Sequence, residues 1–172
     1  MRILAVIDMQ NDFIDGPLGT PEAVAVVGRV REKIARCREE GDRIVFTRDT
    51  HGEGYLDTQE GRKLPVVHCL AHSRGWEIAE GLYQDGDKII DKPSFGSLAL
   101  ADYIGQIKQL ESVELVGLCT DICVISNAII LKAKLPEIRV AVDGSCCAGV
   151  TPQSHENALE AMRACQIEVK FR

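Results

Sequence analysis

A stretch near the middle of the chain, SVELVGLCTDICVISNAIILKA at Ser112–Ala133, has the pattern of a strand, a tight turn and a helix. Val113–Leu118 is a short apolar, β-branched run typical of a buried strand, and Thr120-Asp121 provides a predicted N-cap for the apolar helix that follows. Cys123 would then lie in the first helical turn, where the helix dipole and unpaired N–H groups would lower the pKa of its thiol. The stretch predicts a nucleophilic cysteine, with a buried core cysteine as the alternative.

The same alternation of apolar strands and amphipathic helices runs through the chain. We expect strands at Arg2–Asp8, Arg43–Arg48, Lys88–Asp91, Val113–Leu118, Ile138–Val142 and Ile167–Phe171. We expect helices at Pro21–Glu40, Gly75–Gly81, Leu98–Leu110, Asp121–Lys134 and Pro152–Cys165. The long helix is predicted to bury Val24, Val27, Val30, Ile34 and Cys37. This order predicts a single α/β domain over residues 1–172, with three α/β/α layers and a six-stranded, mainly parallel sheet.

Composition excludes several classes of protein. The net charge of −6 argues against nucleic acid as a partner. No apolar run is long enough to span a bilayer and no signal peptide opens the sequence, so we expect a cytoplasmic protein with no membrane partner. The seven scattered cysteines are an odd number and lack C-x-x-C spacing, which favours free thiols over disulfides or a cysteine zinc site.

Reactive side chains gather at one predicted edge of the sheet, since the C-terminal ends of parallel strands meet there. Five such residues fall at predicted strand ends or just past them: Asp8, Asp49, Lys92, Cys123 and Asp143. Asp8 could accept the thiol proton of Cys123 while Lys92 stabilises the thiolate. The alternative is that Asp8 and Lys92 form an ordinary ion pair.

Three segments resemble, in this order, motifs of the isochorismatase-like cysteine hydrolase superfamily. They are Ile7–Phe13 (IDMQNDF), Lys92–Phe95 (KPSF) and Val116–Val124 (VGLCTDICV), and the resemblance extends to AVDGSCCAG at 141–149 and to His155. It implies a Rossmann-like hydrolase fold and assembly as a homodimer or homotetramer.

The superfamily resemblance also implies roles for individual residues. The catalytic triad falls on Asp8, Lys92 and Cys123. A non-proline cis peptide is implied between Leu118 and Cys119, and the backbone N–H groups of Cys119 and Cys123 are implied to form an oxyanion hole.

The long loop over Gly52–Ser73 and the residues before it resemble the metal site of nicotinamidases within that superfamily. Asp49-Thr50-His51 followed by PVVHC at 65–69 implies ligands at Asp49, His51 and His68, with Glu60 as the fourth. Carboxylate and imidazole ligands suit a divalent metal ion such as Zn, Fe or Mn. Glu53 and Asp57 are alternatives for the fourth position, and spacing alone favours a polar loop with solvated histidines.

These features together predict a cysteine amidohydrolase that converts nicotinamide to nicotinate and ammonia through a thioester on Cys123. The alternative substrate is an N-carbamoyl, ureido or other small amide. Phe13, Tyr55 and Phe95 are predicted to line the substrate pocket, as Trp76 could, with ordinary packing as the alternative for each aromatic side chain. An intact set of acid, lysine and cysteine argues against a vinyl-ether-cleaving isochorismatase and against a non-enzymatic binding domain.

Overall fold

Six parallel strands form one sheet in the computed structural model, which describes residues 1–171. The strands are β1 (Arg2–Ile7), β2 (Arg43–Asp49), β3 (Lys88–Lys92), β4 (Ser112–Leu118), β5 (Arg139–Ala148) and β6 (Glu168–Lys170). Their order across the sheet is β3-β2-β1-β4-β5-β6, and each neighbouring pair is parallel. The predicted parallel α/β architecture is therefore confirmed.

Helices cover both faces of this sheet. They are α1 (Asn11–Ile14), α2 (Pro21–Glu39), α3 (Gln59–Lys63), α4 (Leu98–Gly105), α5 (Ile125–Lys134) and α6 (Pro152–Ala164). The first two pack on one face, and α4, α5 and α6 pack on the other. Within residues 1–171, none of the helices combines the length and the apolar character needed to cross a bilayer.

The central strand β1 is apolar from Ile3 to Ile7, and all five of these residues are buried. Ile3, Ala5 and Ile7 contribute to the core beneath α4, α5 and α6, whereas Leu4 and Val6 contribute to the core beneath α2. Because helices cover both faces, neither set of alternating side chains reaches water. The strand therefore delivers the residue that follows it to the edge of a rigid, fully buried sheet.

The buried face of α2 is as predicted at Val30, Ile34 and Cys37, but it differs from the prediction in the first turns of the helix. Val24 is 52% exposed, while Ala23 and Val26 are buried. Thr20 caps the helix by accepting a hydrogen bond from the backbone N–H of Ala23. The buried stripe also includes Lys33, which a count of apolar residues leaves out.

Two other predicted segments are shorter or absent. The expected helix at Gly75–Gly81 is wrong, because these residues form turns held by the N–H of Ala79, which donates to Met9 O at 2.8 Å. The helix expected to reach Leu110 ends at Gly105. Conversely, the long loop contains a 3₁₀ turn at Tyr55–Asp57, and α3 begins after the intervening Thr58, so the loop is more ordered than its sequence indicated.

Candidate active site

Four of the predicted side chains meet beyond the C-terminal ends of β1, β2, β3 and β4. Lys92 Nζ lies 2.7 Å from Asp8 Oδ2, 3.3 Å from Asp49 Oδ1 and 3.5 Å from Cys123 Sγ. Lys92 is only 1% exposed and Cys123 only 5% exposed. One buried ammonium group therefore contacts two carboxylates and a thiol at the same time.

Asp8 is held in place by its backbone and by a neighbouring strand. Its φ of +46° lies in the left-handed region, where residues other than glycine are uncommon and cluster at functional sites. Thr47 Oγ1 donates a hydrogen bond to Asp8 Oδ1 at 2.6 Å. Asp8 Oδ2 contacts Lys92 Nζ as an ion pair without hydrogen-bond geometry, so this oxygen keeps a lone pair that can accept a proton.

Burial and the surrounding charges set the protonation of the three groups. Burial raises the pKa of Asp8, and Lys92 opposes that shift. Burial would lower the pKa of Lys92, but Asp8, Cys123 and Asp49 outweigh it and raise the pKa of the ammonium. Burial and Asp8 raise the pKa of Cys123 well above its ordinary value, although Lys92 opposes them. The predicted lowering of the thiol pKa is therefore wrong, and the resting site combines a neutral thiol with a charged lysine.

The turn that carries Cys123 is a single π-helical turn over Thr120–Val124, placed between β4 and α5. The predicted N-cap is wrong because both candidate side chains bind elsewhere. Thr120 Oγ1 shares a hydrogen bond of 2.8 Å with His155 Nδ1 of α6, and the Asp121 carboxylate accepts a hydrogen bond from Val150 N at 3.1 Å. These contacts attach the turn to α6 and to the segment between β5 and α6 instead of capping it.

The peptide bond between Leu118 and Cys119 is cis, as the resemblance implied. Cys119 precedes the π-helical turn and Cys123 lies within it, so both backbone N–H groups belong to this short segment. The role of these N–H groups as an oxyanion hole remains a prediction.

A second cluster adjoins the lysine through Asp49. The donor atoms of Asp49, His51, Glu60 and His68 all lie within 4.8 Å of one another. Asp49 Oδ2 is 2.8 Å from His51 Nε2 and 3.5 Å from His68 Nε2. Glu60 Oε1 lies 3.8 Å and 3.9 Å from the same two nitrogens. Glu60, from α3, is thus the loop carboxylate that the fold brings to this cluster.

The chemistry of these donors fits a divalent metal ion. Two imidazoles and two carboxylates form a set that suits Zn, Fe or Mn. His68 Nδ1 lies 2.8 Å from Val66 O, a hydrogen bond that orients the ring so that Nε2 faces the cluster. Burial would raise the pKa of Asp49, but the hydrogen bonds of His51 and His68 and the charge of Lys92 hold it well below its usual value.

The predicted pocket aromatics occupy different surroundings. The Tyr55 ring lies 4.6 Å from the His51 ring and 5.0 Å from the His68 ring, and its hydroxyl donates to Leu64 O. Phe13 lies 5.5 Å from the His68 ring, measured between centroids. Phe95, by contrast, is 42% exposed. Tyr55 and Phe13 thus pack against the histidines, and the contact of all three aromatics with a substrate stays a prediction.

Asp143, expected at the same edge, belongs to a different cluster. The fifth strand continues to Ala148, so Asp143 lies inside β5 and not just past its end. Its carboxylate forms an ion pair of 2.8 Å with Lys33 of α2, and Lys33 also contacts Glu114 at 3.1 Å. The backbone stays extended through Gly144, Cys146 and Cys147, so the strand ends well after Asp143. The Asp143 carboxylate therefore lies within the sheet and not at its C-terminal edge.

Three buried polar residues at the site were not identified from the sequence. Gln10 bonds to the backbone of Asp49, Thr47 bonds to Asp8, and Asn127 Nδ2 donates to the backbone oxygen of Cys123 at 2.9 Å. The available signal was weak, because each has another polar residue directly beside it and nothing in the sequence pattern marks it as buried.

Comparisons with known proteins agree with this geometry. The sequence model of the isochorismatase domain matches residues 2–170. The nicotinamidase/pyrazinamidase of Mycobacterium tuberculosis is 25% identical over 186 residues, which cover 98% of each chain. The pyrazinamidase of Pyrococcus horikoshii in complex with zinc superposes with a TM-score of 0.86 at 27% identity, over 99% of each chain. The N-carbamoylsarcosine amidase of Thermoplasma acidophilum superposes with a TM-score of 0.81 at 27% identity, over 99% of this chain and 95% of that one.

Proposed function

The chain belongs to the isochorismatase family, and on this basis we propose that it is a cysteine amidohydrolase that converts nicotinamide to nicotinate and ammonia. The observation that carries the proposal is the position of Lys92, whose Nζ lies 2.7 Å from Asp8 and 3.5 Å from Cys123. A nucleophile, a base and a cation are thereby within reach of one another. The relative from M. tuberculosis is named a nicotinamidase/pyrazinamidase, which supports nicotinamide as the substrate.

The first half of the reaction forms a thioester. Asp8 Oδ2 accepts the thiol proton of Cys123, and Sγ attacks the carboxamide carbon. The backbone N–H groups of Cys119 and Cys123 stabilise the negative oxygen of the tetrahedral intermediate. Asp8 then returns the proton to the amide nitrogen, the C–N bond breaks and ammonia leaves. Lys92 keeps its charge throughout and stabilises whichever neighbour is anionic.

The second half regenerates the thiol. Asp8 takes a proton from a water molecule, whose oxygen attacks the thioester carbon. The C–S bond breaks, the proton on Asp8 passes to Sγ of Cys123, and the carboxylic acid product ionises to nicotinate. One base thus serves both halves, which is consistent with the lone pair left on Asp8 Oδ2.

The divalent ion would be held by Asp49, His51, Glu60 and His68. When bound, it supplies a Lewis acid that can orient the pyridine ring of the substrate. Asp49 also contacts Lys92 at 3.3 Å, so the ligand set and the catalytic set are in direct contact.

Ammonia release from nicotinamide tests the proposal. We expect purified wild type to release ammonia, Cys123→Ala and Asp8→Asn to release none above background, and chelation to reduce the rate. Cys165→Ala is the matched control, because Cys165 is an exposed cysteine far along the chain and its loss should leave the rate unchanged. Acid quenching during turnover should trap a nicotinoyl adduct on Cys123, detected by mass spectrometry.

The same assay with N-carbamoylsarcosine addresses the other amide class, since one structural neighbour is an amidase of that compound. Turnover of N-carbamoylsarcosine without turnover of nicotinamide would replace the proposed substrate and leave the thiol chemistry in place. Ammonia release that survives Cys123→Ala would overturn the mechanism itself.

A further inference from the structure

The first and second strands separate just before the active site. Their pairing runs as far as Val6 beside Phe46, and Asp8, with its φ of +46°, turns the chain away. Asp49 at the end of β2 still has β3 on its other side, where it pairs with Lys92. On the side that β1 has left, the backbone groups of Asp49 need other partners, because the residue is buried.

The side chain of Gln10 supplies those partners. Asp49 N donates a hydrogen bond to Gln10 Oε1 at 2.7 Å, and Gln10 Nε2 donates to Asp49 O at 2.8 Å. Gln10 Nε2 also donates to Trp76 O at 2.8 Å, which fixes the amide in turn. Gln10 is 0% exposed, so water does not compete for these hydrogen bonds. At Asp49, the Gln10 amide thus makes the two backbone hydrogen bonds that a neighbouring strand would otherwise make.

We infer that Gln10 is a positioning residue of the metal site, which it controls by holding the backbone of Asp49. The Asp49 carboxylate has one oxygen on Lys92 and the other on His51, so a displacement of its backbone would disturb both contacts. Metal ligands must keep their distances to within about 0.2 Å of ideal values, and groups that orient them typically affect metal affinity about 10- to 100-fold. This inference rests on the metal site of the proposed function.

Zinc affinity of the folded protein tests this role without any need for turnover. Gln10→Met keeps the length of the side chain and removes all three hydrogen bonds, so we expect zinc binding to weaken about 10- to 100-fold. Gln10→Glu keeps an oxygen that can accept from Asp49 N but cannot donate to Asp49 O when ionised, and it should also weaken binding. Dissociation constants would come from competition with a chelator of known affinity, and urea unfolding would report stability.

Ser97→Ala is the matched control for a general loss of stability. Ser97 is also buried and polar, and its hydroxyl accepts a hydrogen bond from Leu100 N at the start of α4. We expect this variant to lose stability and to keep the zinc affinity of the wild type. If Gln10→Met unfolds, the zinc affinity of Gln10→Glu tests the positioning role of Gln10.

Each remaining outcome has a definite meaning. Folded Gln10 variants that bind zinc as tightly as wild type would show that Gln10 only stabilises the fold, which would overturn the inference. A wild type that binds no zinc would overturn the metal site and this inference together. Weakened zinc binding in a protein that hydrolyses no amide would leave the inference standing and refute the proposed function.

Discussion

Replacing Lys92 with methionine removes the cation that separates two buried carboxylates. Met has nearly the same length, so the change deletes the charge with little change in volume. In Lys92→Met, Asp8 and Asp49 would share a buried space with no positive group from Lys92, having lost ion pairs of 2.7 Å and 3.3 Å. Breaking a buried pair by removing one partner costs about 3–5 kcal/mol, a large fraction of the roughly 5–15 kcal/mol that stabilises a typical protein.

Thermal and urea unfolding at pH 7 would measure this cost. For a chain of this size, 1 kcal/mol lowers Tm by about 2–4 °C, so Lys92→Met should unfold about 6–20 °C below wild type. Lys134→Met is the control, because its ion pair with Asp102 is half exposed. That pair is expected to contribute about 0–1 kcal/mol.

A double-mutant cycle separates the charge from the packing. Adding Asp8→Asn to Lys92→Met removes one of the two uncompensated carboxylates, so the double variant should be more stable than Lys92→Met alone. A Lys92→Met variant as stable as Lys134→Met would refute the reasoning. So would a cycle with no coupling, because the two side chains contact each other directly.

Two further predictions concern residues outside the charge cluster. Gly117 has a φ of +118°, and an added Cβ would lie 2.1 Å from Ile7 O, so Gly117→Ala should cost on the order of 3 kcal/mol in urea unfolding. Gly28→Ala is its control, since nothing lies within 4 Å and a helical alanine should stabilise by about 0.5–1 kcal/mol; equal effects at both positions would contradict the steric argument. Burial lowers the pKa of His155 in the folded chain. The unfolded chain, in which histidine has a pKa of about 6.5, then binds more protons as the pH falls from 7 to 5, and folding loses free energy. Wild type should therefore lose stability relative to His155→Gln over this range, and parallel pH profiles would disprove the shift.

Much of the fold could be predicted because its strands and helices differ clearly in apolar period. The central strands are buried on both faces and form continuous apolar runs, which identify them with little ambiguity. The failures occur where a tertiary contact determines the structure. Gly75–Gly81 forms turns because its backbone bonds to the segment after β1. Asp143 lies within a strand because β5 continues past Gly144 and Ser145, which interrupt the apolar run.

The site was predictable to a different degree in each part. The rule that parallel strands end at one edge was sufficient to bring Asp8, Lys92 and Cys123 together. The histidine cluster required a resemblance, because the spacing of His51 and His68 does not show that the loop between them folds back. The hydrogen bonds between Gln10 and Asp49 could not be predicted, because no sequence pattern shows which buried side-chain amide bonds to which backbone group.

The thiol pKa shows most clearly what a sequence leaves out. A lysine and a helix start beside a cysteine predict a stabilised thiolate, and that prediction counts only the positive groups. In the folded chain, Lys92 also forms ion pairs with the carboxylates of Asp8 and Asp49, and Cys123 is buried next to Asp8. Burial and the charge of Asp8 therefore raise the pKa of the thiol more than Lys92 lowers it, and the sulfur keeps its proton at rest. The proposed mechanism starts from this neutral thiol and assigns to the neighbouring Asp8 the task of taking its proton when the substrate is in place.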